Sequence, residues 1–433
     1  VIDTGDTAWL LVSAALVMLM TPGLALFYGG MVRSRSVLNV MVLTFVCLAA
    51  VGVVWLLFGY SLAFGDSVGG VIGDFGLAGL HGLGERTVGP PGHQVPLLAF
   101  VAFQLMFAVI TVALLVGAVA ERARFWPWLL FVVVWVTVVY VPIAHWIFAF
   151  DGYQAPHGGW AANKLHALDF AGGTAVEVNS GAAAVALALV IGNRHGWPRQ
   201  APRPHNLPFV MFGAGLLWFG WFGFNAGSAL GANGVAATSF VNTTVAAATA
   251  VLGWLVVEQL RDGKPTTLGA ASGAVAGLVG ITPGCGYVEP LGAAAIGVIA
   301  GVVCSLAIGL KYRLGLDDSL DVLAVHGIGG FAGMLLVGLF ASTGVNSAGA
   351  NGLFYGGGLD QLWRQAVATL AALGWSLVAT LVIAWVIHRT LGLRADRESE
   401  LDGIDEAEHA ESAYDLAVHP SRRGVGAGGE VHR

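Results

Sequence analysis

Charge is what this sequence has least of. Only 11% of its 433 residues are Asp, Glu, Lys or Arg, whereas soluble domains carry about a quarter. Cysteine is almost as scarce. Cys47, Cys285 and Cys304 lie in apolar or Gly-rich stretches without C-x-x-C spacing, which excludes a disulfide framework and a cysteine zinc site. No H-E-x-x-H or G-x-S-x-G pattern is present, so an intramembrane hydrolase would lack its nucleophile, base or metal. No basic stripe marks a nucleic-acid binder. The chain is therefore read as a non-enzyme with no metal and no cofactor. It starts at Val1 rather than Met, which fits removal of a leader.

What the sequence has in abundance is apolar length. Hydrophobic residues make up 56% of the chain, together with 63 Gly and 14 Trp. Eleven apolar segments follow one another, at about 7–31, 38–63, 97–119, 125–149, 170–192, 207–230, 239–260, 268–284, 290–312, 322–342 and 363–390. This predicts an all-α polytopic membrane protein with eleven transmembrane helices. The connections alternate in basic content. Of the 20 Lys and Arg only Arg86, Lys164 and Arg364 fall on the side opposite the tail. The positive-inside rule then predicts an outside N-terminus and a cytoplasmic tail. Eleven divides into five, five and a final long helix, an inverted repeat with approximate halves 1–192 and 207–342 in a membrane domain 1–391.

The stretch D-F-A-G-G-T-A-V-E-V-N-S-G at 169–181 stands out within this frame. Glu177 lies in a small, apolar run, and at helical rise it sits roughly 12 Å below Asp169. That is near the middle of a hydrocarbon core about 30 Å thick. A carboxyl there is costly and marks a pathway, against the blander reading of a protonated Glu bonded to a neighbouring helix. The tenth span begins D-V-L-A-V-H-G-I-G-G, with Asp321 at its start and His326 five residues on. If the halves are inverted repeats, Glu177 and His326 meet near the midplane from opposite directions, where transporter sites lie. Asp169 and Asp321 read first as helix-terminal caps.

Aromatic residues supply the rest. Phe103 and Phe107 in F-Q-L-M-F share one helix face. Trp221, Phe224 and Ser228 lie in W-F-G-F-N-A-G-S. Spacing alone leaves open ordinary packing or a cup in which aromatic faces attract an ammonium-type cation and a hydroxyl accepts a hydrogen bond. Glu258, three residues before Arg261, reads as a local ion pair. The segment 392–433 is acidic, from Asp396 to Asp415, and residues after His419 read as disordered. Leu401, Ile404 and Tyr414 would suit a tail docked on the cytoplasmic face.

The ordered motifs T-P-G-L-A-L-F-Y-G-G (21–30), G-Y-S-L-A-F-G (59–65), V-G-A-V-A-E-R (116–122), L-D-F-A-G-G-T (168–174), P-H-N-L-P (204–208), W-F-G-F-N-A-G-S-A (221–229), G-K-P (263–265), G-L-V-G-I-T-P-G-C-G-Y (277–287) and D-V-L-A-V-H-G (321–327) span nearly the whole chain. In these the sequence resembles the ammonium transporter family (Amt/Mep/Rh), bacterial Amt proteins in particular. The resemblance implies recruitment of ammonium at an outer site made by Phe103, Phe107, Phe148, Trp221 and Ser228, supported by Asp169. It also implies a gate of Phe107 and Phe224, a pore lined by Thr282, and a relay pair ending in His326. It further implies a homotrimer in the cell (inner) membrane, in contact with lipid, with a PII-type regulatory protein as a partner of the acidic tail. Two positions depart from the family pattern. Glu177 stands where most members have the first pore histidine, as in some fungal Mep transporters. Phe148 stands where the recruitment site has a tryptophan, with Trp146 or Trp160 as candidates to compensate. The resemblance implies transport of ammonium as ammonia, with an ammonium sensor of the same fold as the alternative. Only about 40 residues follow the last span, which favours transport.

Overall fold

The computed structural model describes residues 2–199 and 203–414. The disorder expected after His419, and Asp415 itself, lie outside the described residues. Among those described, the regular elements are helices apart from two hairpins of two-residue strands, β1 (Ser67–Val68) with β2 (Ile72–Gly73) and β3 (Thr87–Val88) with β4 (Val95–Pro96). Both lie in the loop before the third span.

Among the described residues, ten helical segments are long and apolar enough to cross a membrane. In chain order they are α1 (Thr4–Met31), α2 (Val37–Phe64), α3 (Leu97–Val119), α4 (Phe125–Phe148), α5 (Gly173–Ile191), α6 (Leu207–Ala229) and α7 (Gly234–Asp262). After the short apolar α8 (Thr267–Ile281) come α9 (Pro290–Leu314), α10 (Leu323–Phe340) and α11 (Asp360–Thr390). The protein is thus a multi-pass membrane protein, with eleven helices close to the expected bounds. The eighth is the exception in length. Its 15 residues rise only about 22 Å, and Thr282-Pro283-Gly284 closes it in a turn.

Glycine sets how the helices meet. A Cβ added at Gly30 would come within 2.7 Å of Val210 Cγ2, and one at Gly220 or Gly223 would strike Met20 or Leu16. Small residues of this kind are what let α1 and α6 pack backbone to backbone in lipid. The same device brings α5 and α10 together, where a Cβ on Gly181 would collide with the Gly327 backbone. These two helices run in opposite directions, α5 from the face that carries the N-terminus and α10 from the face that carries the tail.

Those faces, called the N-face and the tail face below, differ in how they hold charge. On the tail face Arg33 donates to Glu121 through its backbone N–H and Nε at 2.9 and 2.7 Å. Arg194 bridges Glu121 and Asp317 at 2.7 and 2.8 Å. Glu121 and Asp317 are fully buried. Burial works against their ionised forms, but the surrounding guanidinium groups prevail and hold both carboxyls below the usual range. The acidic tail is ordered here as α12 (Arg397–Asp402) and α13 (Ile404–His409). Glu400 binds Arg394 at 2.7 Å and the His195 N–H at 2.7 Å. Asp405 accepts the N–H groups of Leu38 and Asn39 at the start of α2, and Glu408 that of Phe125 at the start of α4. Negative charge at helix N-termini explains why an acidic segment docks.

Two local expectations change. Glu258 does not pair with Arg261. It accepts from Thr266 N–H at 2.8 Å and Trp254 Nε1 at 3.2 Å, while Arg261 turns to its neighbour Asp262 at 2.7 Å. The N–H and hydroxyl of Thr266, the residue that caps α8, outcompete a solvated arginine for that carboxylate. Asp321 does not cap α10 either. Its backbone is left-handed, with φ of 63°, and its side chain pairs with Lys311 at 2.8 Å. Asp318 takes the role instead, accepting Leu323 N–H at 2.7 Å.

Candidate functional site

Three spaces lie end to end between the faces. The N-face chamber, about 280 Å³, is lined by Phe103, Phe107, Phe148, Asp169 and Ser228, with Gln104, Gln154 and Tyr287 among the others. Its floor is a pair of parallel rings. Phe107 and Phe224 stack with centroids 4.2 Å apart and planes 9° from parallel. Beneath them is an apolar lumen walled by Met20, Leu24, Ile110, Leu114, Val176, Leu217, Trp221 and Val275, with Glu177 and His326 the ionisable residues in its wall. It leaves about 10 Å³ of room, roughly what one water-sized molecule needs. Phe27, Val275 and His326 are shared with the third space, a tail-face vestibule of about 200 Å³ that reaches Asp321, Glu258 and Arg261.

Asp169 and Ser228 at the N-face chamber each have a traceable reason for their pose. Asp169 accepts the N–H groups of Gly172, Gly173 and Thr174 at 2.8, 2.6 and 2.6 Å, and that of Ala175 at 3.4 Å. It thereby caps α5, as expected from its position. Burial raises its carboxyl above the ordinary range against the pull of these four amides. Ser228 donates its hydroxyl proton to Phe224 O at 2.8 Å, so both oxygen lone pairs stay available as acceptors. Phe148 meets Phe107 edge to face at 6.1 Å. The two tryptophans expected to compensate for a phenyl at this position lie elsewhere. Trp146 and Trp160 pack on each other at 5.8 Å, Trp146 donates to Val71 O, and neither lines the chamber.

Trp221 is placed differently from the expectation. It lies below the stacked rings, in the lumen wall, 5.5 Å from Phe224. The cause is direction: α6 climbs toward the N-face, so a residue three earlier than Phe224 lies one turn deeper. Its indole donates to Thr282 Oγ1 at 2.9 Å, and that hydroxyl donates to Leu278 O at 2.8 Å. Thr282 lines neither chamber nor lumen and positions Trp221 from behind.

Glu177 and His326 do meet. Oε2 of Glu177 is 2.6 Å from His326 Nδ1, and the residues are 1% and 5% exposed. Each sits in one widened turn, at Gly173–Val178 and Leu323–Ile328. Such π-turns occur often at functional sites. Glycine again permits the contact, since a Cβ on Gly330 would lie 2.6 Å from Glu177 Cβ. The other carboxylate oxygen, Oε1, is buried without a partner.

The residue that pattern reading passed over is Gln104. It stands inside the F-Q-L-M-F motif as a polar group in an apolar span, and that rarity was its signal. Elsewhere on the N-face, Asp3, Asp6 and His93 bring ligand-type atoms within 4.8 Å of one another. A hydrogen bond accounts for the contact: His93 Nδ1 lies 3.0 Å from Asp6 Oδ2.

Comparison with known proteins bears on this geometry. The family model described as Ammonium Transporter Family matches residues 8–414. The chain belongs to the ammonium transporter family. It is 59% identical to an ammonium transporter of Mycobacterium tuberculosis (strain ATCC 25618 / H37Rv) over 96% of this chain and 91% of the relative. It is 48% identical to that of Bacillus subtilis (strain 168) over 95% and 98%. Among solved structures, Candida albicans Mep2 superposes with a TM-score of 0.83 at 36% identity, covering 92% of this chain and 88% of that one. A sensor Amt protein gives 0.85 at 29% identity, over 94% and 98%. The named sequence relatives are transporters, so the fold serves transport here, and neither enzyme nor sensor is the favoured reading.

Proposed function

We propose that the protein sits in the cell membrane with its N-face outside, recruits ammonium in the N-face chamber and passes ammonia through the lumen to the cytoplasm. Phe103, Phe107 and Phe148 would hold the cation with their ring faces, Ser228 would accept one of its protons, and Asp169 would hold the helix end that frames the site. The observation that carries this reading is the closed Phe107–Phe224 stack above an apolar lumen of one-molecule width. Moving an intact cation into that space would forfeit its hydration without replacement, whereas neutral ammonia enters at little cost. Ammonium therefore separates at the stack into ammonia and a proton. The proton passes to the Glu177–His326 pair, whose unpartnered Oε1 supplies an acceptor, and leaves by the tail-face vestibule.

The basic tail face supports a cytoplasmic location for it, and the docked α12 and α13 support a surface that a PII-type partner could read. A homotrimer completes the proposal. The test is ammonium-evoked current from purified protein on a solid-supported membrane, with Glu177→Ala beside the parent. A saturable current that vanishes in the variant while ammonia uptake persists is the expected result. Equal currents in the two would reduce Glu177 to a structural group.

A further inference from the structure

We infer that Gln104 is a ligand of the ammonium ion in the N-face chamber and the residue that favours ammonium there over cations without N–H groups. This rests on the reading of the chamber as the recruitment site. Gln104 precedes Phe107 by one helical turn, so α3 presents it beside that ring, and Phe103 lines the same chamber. It lines the chamber and is 6% exposed. Its Oε1 is buried without a hydrogen-bond partner. A buried amide left unpaired in an apolar span is costly and calls for an explanation. The chamber offers one, because an ammonium ion brings four N–H donors to a space that Gln104 lines together with Ser228 and the three rings. A half-turn of the amide exchanges its oxygen and nitrogen ends, so the carbonyl can serve a cation on the chamber side.

The chemistry of the surrounding residues separates two tasks. The faces of Phe103, Phe107 and Phe148 attract any compact cation, since the quadrupole responds to charge alone. They do not distinguish ammonium from potassium. Directional acceptors do. Ser228 is one, its own proton already given to Phe224 O. Gln104 adds a second, from α3 rather than α6, so the two approach the cation from different helices. With a phenyl rather than an indole at Phe148, the ring contribution is the smaller one, and the acceptors carry more of the discrimination.

The experiment compares Gln104→Leu and Gln104→Met with the parent in reconstituted vesicles, measuring uptake of ammonium, competition by potassium, and uptake of methylammonium. Both replacements suit an apolar helix, and the second guards against a packing effect peculiar to the first. The expected result is a rise of about tenfold in half-saturation for ammonium with the maximal rate held within about twofold, as for loss of one hydrogen bond to a charged group. Potassium should compete more strongly than in the parent, and methylammonium, with one N–H fewer, should lose less than ammonium. Gln104→Glu keeps an acceptor and should hold ammonium half-saturation at or below the parental value. Unchanged half-saturation and competition in Gln104→Leu and Gln104→Met would overturn the inference, as would a fall in maximal rate alone. A parent that takes up no ammonium would instead overturn the proposed function.

Discussion

Two sets of buried charge sit at different depths in this molecule and are treated in opposite ways. On the tail face, Glu121 and Asp317 receive guanidinium and backbone donors from Arg33, Arg122 and Arg194. At the crossing of α5 and α10, Glu177 has one partner, His326 at 2.6 Å, and leaves Oε1 with none. In that cluster every oxygen of Glu121 and Asp317 already accepts a hydrogen bond, so neither carboxylate has an acceptor to spare. An unsaturated pair in an apolar wall retains the capacity to take or give a proton, and its cost is tolerated because the surrounding helices fix it. The contrast teaches that burial alone does not distinguish the two sets; what distinguishes them is whether every carboxylate oxygen has a donor.

The sharpest way to break that contrast is to unpair the saturated cluster. Arg194→Ala leaves Glu121 paired with Arg33 alone and Asp317 paired only through the longer contact to Arg122, and removing one member of a buried ion pair costs about 3–5 kcal/mol. The detergent-solubilised variant should melt far below the parent, with little folded protein recovered. Glu177→Gln, by contrast, keeps the shape and a hydrogen-bond partner for His326, and its melting should move by no more than about 1 kcal/mol equivalent. If the two variants lost comparable stability, the distinction between structural and working charges would fail.

A second test uses pH and lies within the tail face itself. Burial, with Asp321 nearby, pushes the Asp318 carboxyl up to about 6, whereas Glu121 and Asp317 are held below the usual range. The signs are opposite. A carboxyl raised on folding binds more protons in the folded state, so Asp318 costs stability as pH climbs from about 4 to 6, and the cost persists above that. Glu121 and Asp317 add stability above their unfolded pKa, near 4, and lose it as pH falls through their lowered values. Asp318→Asn should therefore raise the melting temperature at pH 7.5 and lose that advantage by pH 4.5. A thermal-shift series showing equal gain at both pH values would contradict the assignment of the cost to ionised Asp318.

Much of this was readable before any coordinates. The eleven helices follow from runs of apolar residues long enough for a bilayer, and the Glu177–His326 meeting from two ionisable groups at matching places in opposed spans. What could not be read is which way a side chain faces at a given depth. Trp221 belonged by motif with Ser228, yet the rise of α6 puts it two turns deeper and behind the ring stack. For Glu258 and Asp321 sequence proximity suggests Arg261 and a helix cap, but Thr266 and Lys311 are the partners that compete better. Gln104 was in view as a letter in a motif. That its amide lacks a partner is a three-dimensional fact.

The smallest expected effect concerns the docked tail. Asp405 accepts two backbone N–H groups at the start of α2, at 3.0 and 2.8 Å, and no side chain of the helix itself caps that end. Replacing a capping side chain by alanine costs about 1 kcal/mol, far less than the loss expected for Arg194→Ala. Glu400 and Glu408 still hold the segment in Asp405→Ala, through Arg394, His195 and Phe125. The cost should therefore appear locally: faster amide exchange at Leu38 and Asn39 and quicker proteolysis within α13, with global melting almost unchanged. Release of the whole tail would mean that one cap governs docking. No change at all would mean that the guanidinium contacts of Glu400 alone set the position of the tail, and that the capping of α2 from outside is incidental to it.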